Sequence, residues 1–178
     1  AVRRMLLVYS FAGFSFSTLL VYQVPIMIDQ GLTLSTAAAI AGFRGFCQLF
    51  GRVGVIAALA KQGAARALRI GYLMAAAGSL FILGGSIGLG IVYGALVGAS
   101  LGASTPLQAI HAQETFEPED LGLLMGLQHS VFALAGAAGP IAAGVAADLS
   151  DSQSPSVWMT LCGLLLAAML LQGKPRTS

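Results

Sequence analysis

Long apolar runs alternate with short polar breaks along the whole chain. Six of these runs meet or approach the roughly 20 residues that a transmembrane helix needs. The breaks contain residues that end or start helices, such as Asp29-Gln30-Gly31 and Gly84-Gly85-Ser86. The pattern predicts an all-α integral membrane protein with helices at about residues 5–28, 36–60, 67–84, 87–110, 121–147 and 155–171.

The composition agrees with a protein that has the lipid bilayer as its main partner. Of the 178 residues, 57% are hydrophobic and 9% are charged, whereas a soluble domain carries about 25% charged residues. This difference excludes a soluble enzyme, and a net charge of +2 leaves no basic patch for nucleic acid. Cys47 and Cys162 lie inside apolar runs, so we expect no disulfide framework, metal site or cofactor.

The basic residues predict the orientation, because Lys and Arg accumulate on the cytoplasmic side of membrane proteins. The loops at Asp29–Ser35, Gly85–Ser86 and Asp148–Ser154 contain neither residue type. Both termini are therefore predicted to be cytoplasmic, in a multi-pass protein of the bacterial plasma (inner) membrane. The chain starts at Ala1 without a Met or a signal peptide, so we interpret it as part of a longer protein. The residues on the predicted cytoplasmic side are Arg3, Arg4, Lys61, Arg66, Arg69, Lys174 and Arg176.

Four of the six predicted helices carry polar side chains in their interiors. Such side chains are costly in a bilayer unless they face a bundle interior or a watery cavity. We therefore expect the first, second, fourth and fifth helices to surround a cavity, with the third and sixth packed outside against lipid. The polar residues are Tyr22, Gln23, Arg44, Gln48, Ser100, Ser104, Gln108, Gln128 and His129.

Arg44 is the most informative of these residues, since it lies roughly 12 Å into the second helix at 1.5 Å per residue. No Asp or Glu is embedded in any predicted span, so we expect Arg44 to have no partner within the chain. Three interpretations remain open: pairing with helix carbonyls or an acid elsewhere in the protein, binding of an anionic substrate group, and snorkelling to the interface. His129 is the only embedded group expected to titrate near neutral pH, although a hydrogen-bonded packing histidine is the favoured interpretation.

The glycines of the fourth helix predict close helix packing. Gly90, Gly94, Gly98 and Gly102 form one smooth face, and Gly139-Pro140 marks a place where the fifth helix can bend. The same glycines create a G-x-S-x-G pattern around Ser100, which is typical of a serine nucleophile only at a strand-to-helix turn. An intramembrane serine protease using Ser100 is therefore a remote alternative.

Two loops on the predicted cytoplasmic side carry opposite charges. One loop is basic, the other is acidic, and together they predict a gate that closes this side. Solvated loops are the alternative, because each exposed ion pair is worth under about 1 kcal/mol. The predicted gate residues are Arg52, Lys61, Arg66, Glu117 and Glu119.

Two stretches resemble the major facilitator superfamily of transporters. Gln48, Gly51-Arg52 and the basic loop after them are similar to the end of the eighth helix of that family. The pattern Gly122-x-x-x-Gly126, then Gly136-x-x-Gly139-Pro140-x-x-x-Gly144-x-x-x-Asp148, resembles its eleventh helix. The chain departs from the family's loop signature, because Ala60 stands in place of an Asp and Ala64-Ala65 replace a basic pair.

The resemblance covers nearly the whole chain and implies one domain, residues 1–178, equivalent to the C-terminal six-helix half of a transporter. It implies two inverted three-helix repeats, a missing N-terminal half and alternating access about a central site. Some members that transport organic acids place an Arg in the eighth helix, which favours an anion at Arg44. We therefore predict a secondary transporter, symporter or antiporter, for a small polar solute, with an organic anion favoured. The predicted substrate-binding residues are Arg44, Gln48, Gln23, Tyr22, Gln128 and His129, and the alternative is a non-transporting six-helix scaffold.

Overall fold

A computed structural model describes residues 2–55 and 62–171, and every regular element within those ranges is helical. A π-helical turn, Gly51–Val55, continues the second helix, and a 3₁₀ turn, Ile82–Gly84, continues the third. The six α-helices are α1 Val2–Asp29, α2 Leu34–Phe50, α3 Ala64–Phe81, α4 Ile87–Thr115, α5 Leu121–Ser150 and α6 Ser154–Leu170.

Four helices in the described ranges are long and apolar enough to cross a membrane: α1, α3 with its 3₁₀ turn, α4 and α5. Helix α6 is apolar but has only 17 residues. Helix α2 also has 17 residues, and its π-helical turn adds five more. The last predicted residues of this second span, 56–60, lie outside the described ranges.

Polar capping residues set two of the helix starts. Thr33 precedes α2, and its hydroxyl accepts the backbone N–H of Thr36 at 3.2 Å. Ser86 does the same for α4, accepting the N–H of Leu89 at 3.3 Å. Between α3 and α4 the chain turns at Gly85, whose φ of 62° suits a residue without a side chain. This turn makes α3 and α4 antiparallel neighbours.

Contacts at the helix ends show an up-and-down bundle. At one end, here called the proximal end, Arg4 of α1 bonds to the carbonyl of Leu170 in α6, and the start of α3 meets the end of α4. At the opposite, distal end, the Asp29 carboxylate accepts the backbone N–H of Gln153 at 3.3 Å. Helices α1, α3 and α5 therefore start at the proximal end.

The helices pack laterally with α1 along α5 and α6, and α4 along α2 and α3. Helix α3 also packs on α6. Helices α2 and α5 are the most exposed: α2 buries only Ala37 and Ile40, while α5 presents large apolar residues such as Leu134 and Ile141 outwards. These two outward faces would be costly in water and suit lipid or a second bundle.

The fourth helix is longer than the sequence predicted. It was expected to end near residue 110, but it continues to Thr115, where Phe116 adopts an extended conformation. The sequence from His111 to Thr115 is less apolar but has no helix breaker, so backbone hydrogen bonding carries on past the apolar run. This extension places His111 inside the helix.

Candidate functional site

A polar cluster joins three helices toward the distal end of the bundle. Gln23 lies on α1, Arg44 on α2 and Tyr93 on α4. The Arg44 guanidinium donates from Nε to Oε1 of Gln23 at 2.9 Å, and the Tyr93 hydroxyl donates to the same oxygen at 3.1 Å. Two of the predicted site residues, Arg44 and Gln23, are therefore in direct contact.

The cluster is closely fixed around the Gln23 amide. Gln23 is 7% exposed and Tyr93 is 0% exposed. Nε2 of Gln23 donates to the carbonyl of Leu20 at 3.0 Å, which sets the amide with its oxygen toward Arg44. The Tyr93 hydroxyl therefore helps to fix the Gln23 amide, and that amide accepts the hydrogen bond from the Arg44 guanidinium.

The expectation that Arg44 has no partner in the chain is wrong, because it considered only carboxylates. The partner is a neutral amide that accepts a hydrogen bond without cancelling the positive charge. In addition, Nη1 of Arg44 is buried and has no hydrogen-bond partner among the described residues. An unsatisfied buried donor on a charged group is energetically unfavourable.

Glycines of α4 allow this helix to pack closely against the backbone of α2, which carries Arg44. A Cβ built on Gly98 would overlap the carbonyl of Arg44, and one built on Gly102 would overlap the carbonyl of Gln48. Gly90 and Gly94, nearer the distal end, face side chains of α2 in the same way. The backbones of α2 and α4 can approach this closely only because these positions lack side chains.

Gln48 and Tyr22 differ in their relation to the cluster. Gln48 lies one turn beyond Arg44 on the same stripe, is half-buried, and makes no side-chain hydrogen bond within the described ranges. Tyr22 points elsewhere: its hydroxyl donates to the carbonyl of Pro140 on α5 at 3.2 Å. Gly139 meets the carbonyl of Phe14, so this part of α5 packs against α1.

Gln128 belongs to a second polar layer rather than to the Arg44 cluster. Its Nε2 donates to Oε1 of Gln108 at 3.4 Å, and Nε2 of Gln108 donates to the Tyr72 hydroxyl at 3.5 Å. Gln108 and Tyr93 are about 22 Å apart along α4, which is too far for one small solute to contact both layers. Tyr72 is buried and lies on α3, so α3 contributes to the polar interior although it was expected outside.

The two histidines lie in opposite environments, and the expectation that His129 is the only embedded one is wrong. His129 is exposed, and its Nδ1 contacts the carbonyl of Met125 in its own helix at 2.8 Å. His111 is half-buried, and its Nδ1 shares a 2.8 Å hydrogen bond with the Tyr9 hydroxyl of α1. His111 lies beyond the predicted end of the fourth helix near residue 110, but α4 extends to Thr115 and therefore includes it.

The predicted gate residues do not meet. Arg52, Arg66, Glu117 and Glu119 are exposed, and no ion pair joins them within residues 2–55 and 62–171. Lys61 lies outside the described residues. Glu114, at the end of α4, does reach the start of α3, because its carboxylate accepts the backbone N–H of Ala64 at 3.1 Å. The gate stays a prediction, with Glu114 as the observed contact.

Ser100 has no nucleophile geometry. Its hydroxyl donates to the carbonyl of Leu96 in its own helix at 2.7 Å, in the middle of α4. A serine nucleophile of the G-x-S-x-G type requires a sharp strand-to-helix turn. No group of His, Cys, Asp or Glu suited to a metal ion occurs in the part of the chain that the structure describes.

Tyr93 is not among the predicted site residues, because a tyrosine within an apolar run is common and does not by itself indicate a site. A signal was nevertheless present, since Tyr93, Ser100, Ser104, Gln108 and His111 follow one another at helical spacings along one side of α4. The hydroxyl-bearing residues on that side are all buried. This polar stripe on α4 includes residues of both polar layers, Tyr93 in one and Gln108 in the other.

The sequence matches the family model of the Major Facilitator Superfamily over residues 5–178. No individual curated protein matches the chain.

Proposed function

The chain belongs to the major facilitator superfamily, and we propose that it forms one six-helix half of a secondary transporter for a small organic anion. The proposal includes two inverted three-helix repeats, at about residues 1–85 and 86–178, and a second six-helix half that completes the site. Alternating access would then expose the site to each side of the membrane in turn.

The observation that supports an anionic substrate is the incomplete hydrogen bonding of the charged Arg44 guanidinium. Its charge has only a neutral partner, and its Nη1 lacks a hydrogen bond within the described ranges. A guanidinium matches the geometry of a carboxylate or phosphate with two parallel donors. The bound anion would supply both the missing acceptor and the missing negative charge.

The other predicted residues take different roles in this proposal. Gln48, half-buried one turn from Arg44, offers a second hydrogen bond to the anion, and Gln23 orients the guanidinium. Gln128 and Tyr22 join α5 to α4 and α1, because their hydrogen bonds run to Gln108 and Pro140. His129 is exposed on α5 and bonds to a carbonyl of its own helix, so the proposal gives it no role in the anion site.

A transport assay tests the proposal on the intact transporter that carries this chain, reconstituted in liposomes. The probes are radiolabelled lactate, succinate and inorganic phosphate, with choline and glycerol as cationic and neutral controls. We expect saturable uptake of at least one anion above both controls. Uptake of choline or glycerol alone would overturn the anion assignment, and no uptake of any probe would favour the scaffold alternative.

Tyr93→Phe should weaken binding of the transported anion without abolishing transport. The change removes one hydrogen bond to Gln23, and a neutral hydrogen bond is worth about 0.5–1.5 kcal/mol, or roughly a 2- to 12-fold rise in KM. The matched control is Tyr22→Phe, whose hydroxyl bonds to Pro140 instead. An equal rise in KM for both variants would show that Tyr93 does not position the anion site.

A further inference from the structure

A histidine and a tyrosine form a cross-helix hydrogen bond toward the proximal end of the bundle. Tyr9 of α1 is 0% exposed, and its hydroxyl lies 2.8 Å from Nδ1 of His111 on α4. The pair lies about 27 Å along α4 from Tyr93 and the Arg44 cluster. It is therefore separate from the proposed anion site.

Two titratable groups of the described residues act on this pair. Tyr72 of α3 interacts with Tyr9, and Glu114 of α4 interacts electrostatically with His111. Glu114 follows His111 by three residues, so both side chains lie on the same side of α4. Histidine changes charge within the physiological pH range, and a positive imidazolium beside a fully buried phenol needs a nearby anion. Glu114 is the carboxylate in position to provide it.

At the proximal end of the bundle, the Glu114 carboxylate also accepts a hydrogen bond from the start of α3. Helix α3 starts after Gly63, which has a φ of 88° and offers no side chain to cap the helix. The Glu114 carboxylate replaces that cap, with its two oxygens 3.1 and 3.4 Å from the backbone nitrogen of Ala64. A carboxylate at this position also suits the positive end of the α3 dipole. The first turn of α3 therefore depends on a residue of α4.

We propose that His111 is the proton-binding site of this half, and that a proton there competes with the first turn of α3 for the Glu114 carboxylate. Protonation gives an imidazolium with a hydrogen on both ring nitrogens, and the Tyr9 bond persists because the phenol oxygen can accept from Nδ1. Glu114 turns toward the imidazolium and releases the Ala64 N–H. The start of α3 then loses its contact with the end of α4.

The exchange of Glu114 between His111 and α3 is a property of the bundle itself. It can therefore be tested without knowing the substrate.

Amide hydrogen exchange of the start of α3 tests the proposal directly. The intact protein in lipid nanodiscs is exchanged at about pH 5 and about pH 7.5, well below and above the usual histidine titration, and rates are corrected for intrinsic exchange. We expect the amides of residues 64–68 to exchange about fivefold faster at the lower pH, as for the loss of a helix cap. His111→Gln should remove this pH response, and Glu114→Ala should give fast exchange at both pH values.

The matched control is His129→Gln, since His129 bonds only within its own helix and this variant should respond as the wild type does. A pH response that persists in His111→Gln or in Glu114→Ala, or its absence from the wild type, overturns the proposal. Glu114 is exposed, so Glu114→Ala keeps the test decisive even if His111→Gln fails to fold. Failure of the transport assay with a normal exchange response would instead reject the proposed function alone.

Discussion

Arg44→Gln should raise the KM for the transported anion by roughly 10- to 100-fold, because a hydrogen bond to a charged group contributes about 1.5–3 kcal/mol. The substitution removes the positive charge and the buried Nη1 donor that has no partner in the described ranges. Gln keeps a polar side chain that can still pair with Gln23. Uptake in proteoliposomes measures the effect, using whichever of lactate, succinate or phosphate the wild type transports.

The control for this variant keeps the same chemical change away from the site. Arg3→Gln alters an exposed arginine at the start of α1 and should leave the KM unchanged. Arg44→Lys should fall between the wild type and Arg44→Gln, because a lysine retains the charge without the two-pronged donor geometry. Wild-type uptake by Arg44→Gln, with normal insertion into the membrane, would remove Arg44 from the anion site.

Gly102→Ala should lower the free energy of unfolding by about 1–3 kcal/mol, the usual effect of overpacking. A Cβ at this position overlaps the backbone carbonyl of Gln48, so the α2 and α4 backbones must separate. Unfolding in detergent, followed by circular dichroism, measures the loss. Because Arg44 lies one turn from Gln48, uptake of the anion should fall in the same variant.

Gly88→Ala is the matched control for the packing effect, since Gly88 lies on the same helix and a Cβ there meets nothing within 4 Å. Alanine is favoured over glycine in helices by up to about 1 kcal/mol, so this variant should be as stable as the wild type or slightly more stable. Equal destabilisation of both variants would show that glycine as such, rather than the contact with α2, determines stability.

The sequence could predict the helices because each apolar run is bounded by residues with a defined structural effect. Gly85 and Ser86 illustrate this, since the left-handed turn and the cap follow from their chemistry. The end of α4 could not be predicted in the same way. Hydropathy falls after residue 110, but a helix continues wherever its backbone hydrogen bonds remain favourable, and it ends only near Phe116.

The site was predictable only in part, because depth in the membrane does not determine which side chains meet. The cost of a polar side chain in a bilayer indicates Arg44 and Gln23 as site residues, and the two are in contact. The same cost in a bilayer indicates Gln128 as a site residue, but Gln128 pairs with Gln108 in the second polar layer. The rotation of each helix about its axis decides these pairings, and that rotation depends on packing between helices far apart in sequence.

The incompletely neutralised charge of Arg44 makes the proposed transporter sensitive to membrane voltage at one step. An empty site carries the positive charge of the guanidinium, whereas a site that holds a monoanion is close to neutral. The membrane potential acts with about 2.3 kcal/mol per elementary charge per 100 mV, so it acts on the reorientation of the empty site and hardly on the loaded one. A potential that is negative inside would hold the empty site toward the cytoplasm, and exchange of one anion for another would proceed at nearly the same rate at any voltage.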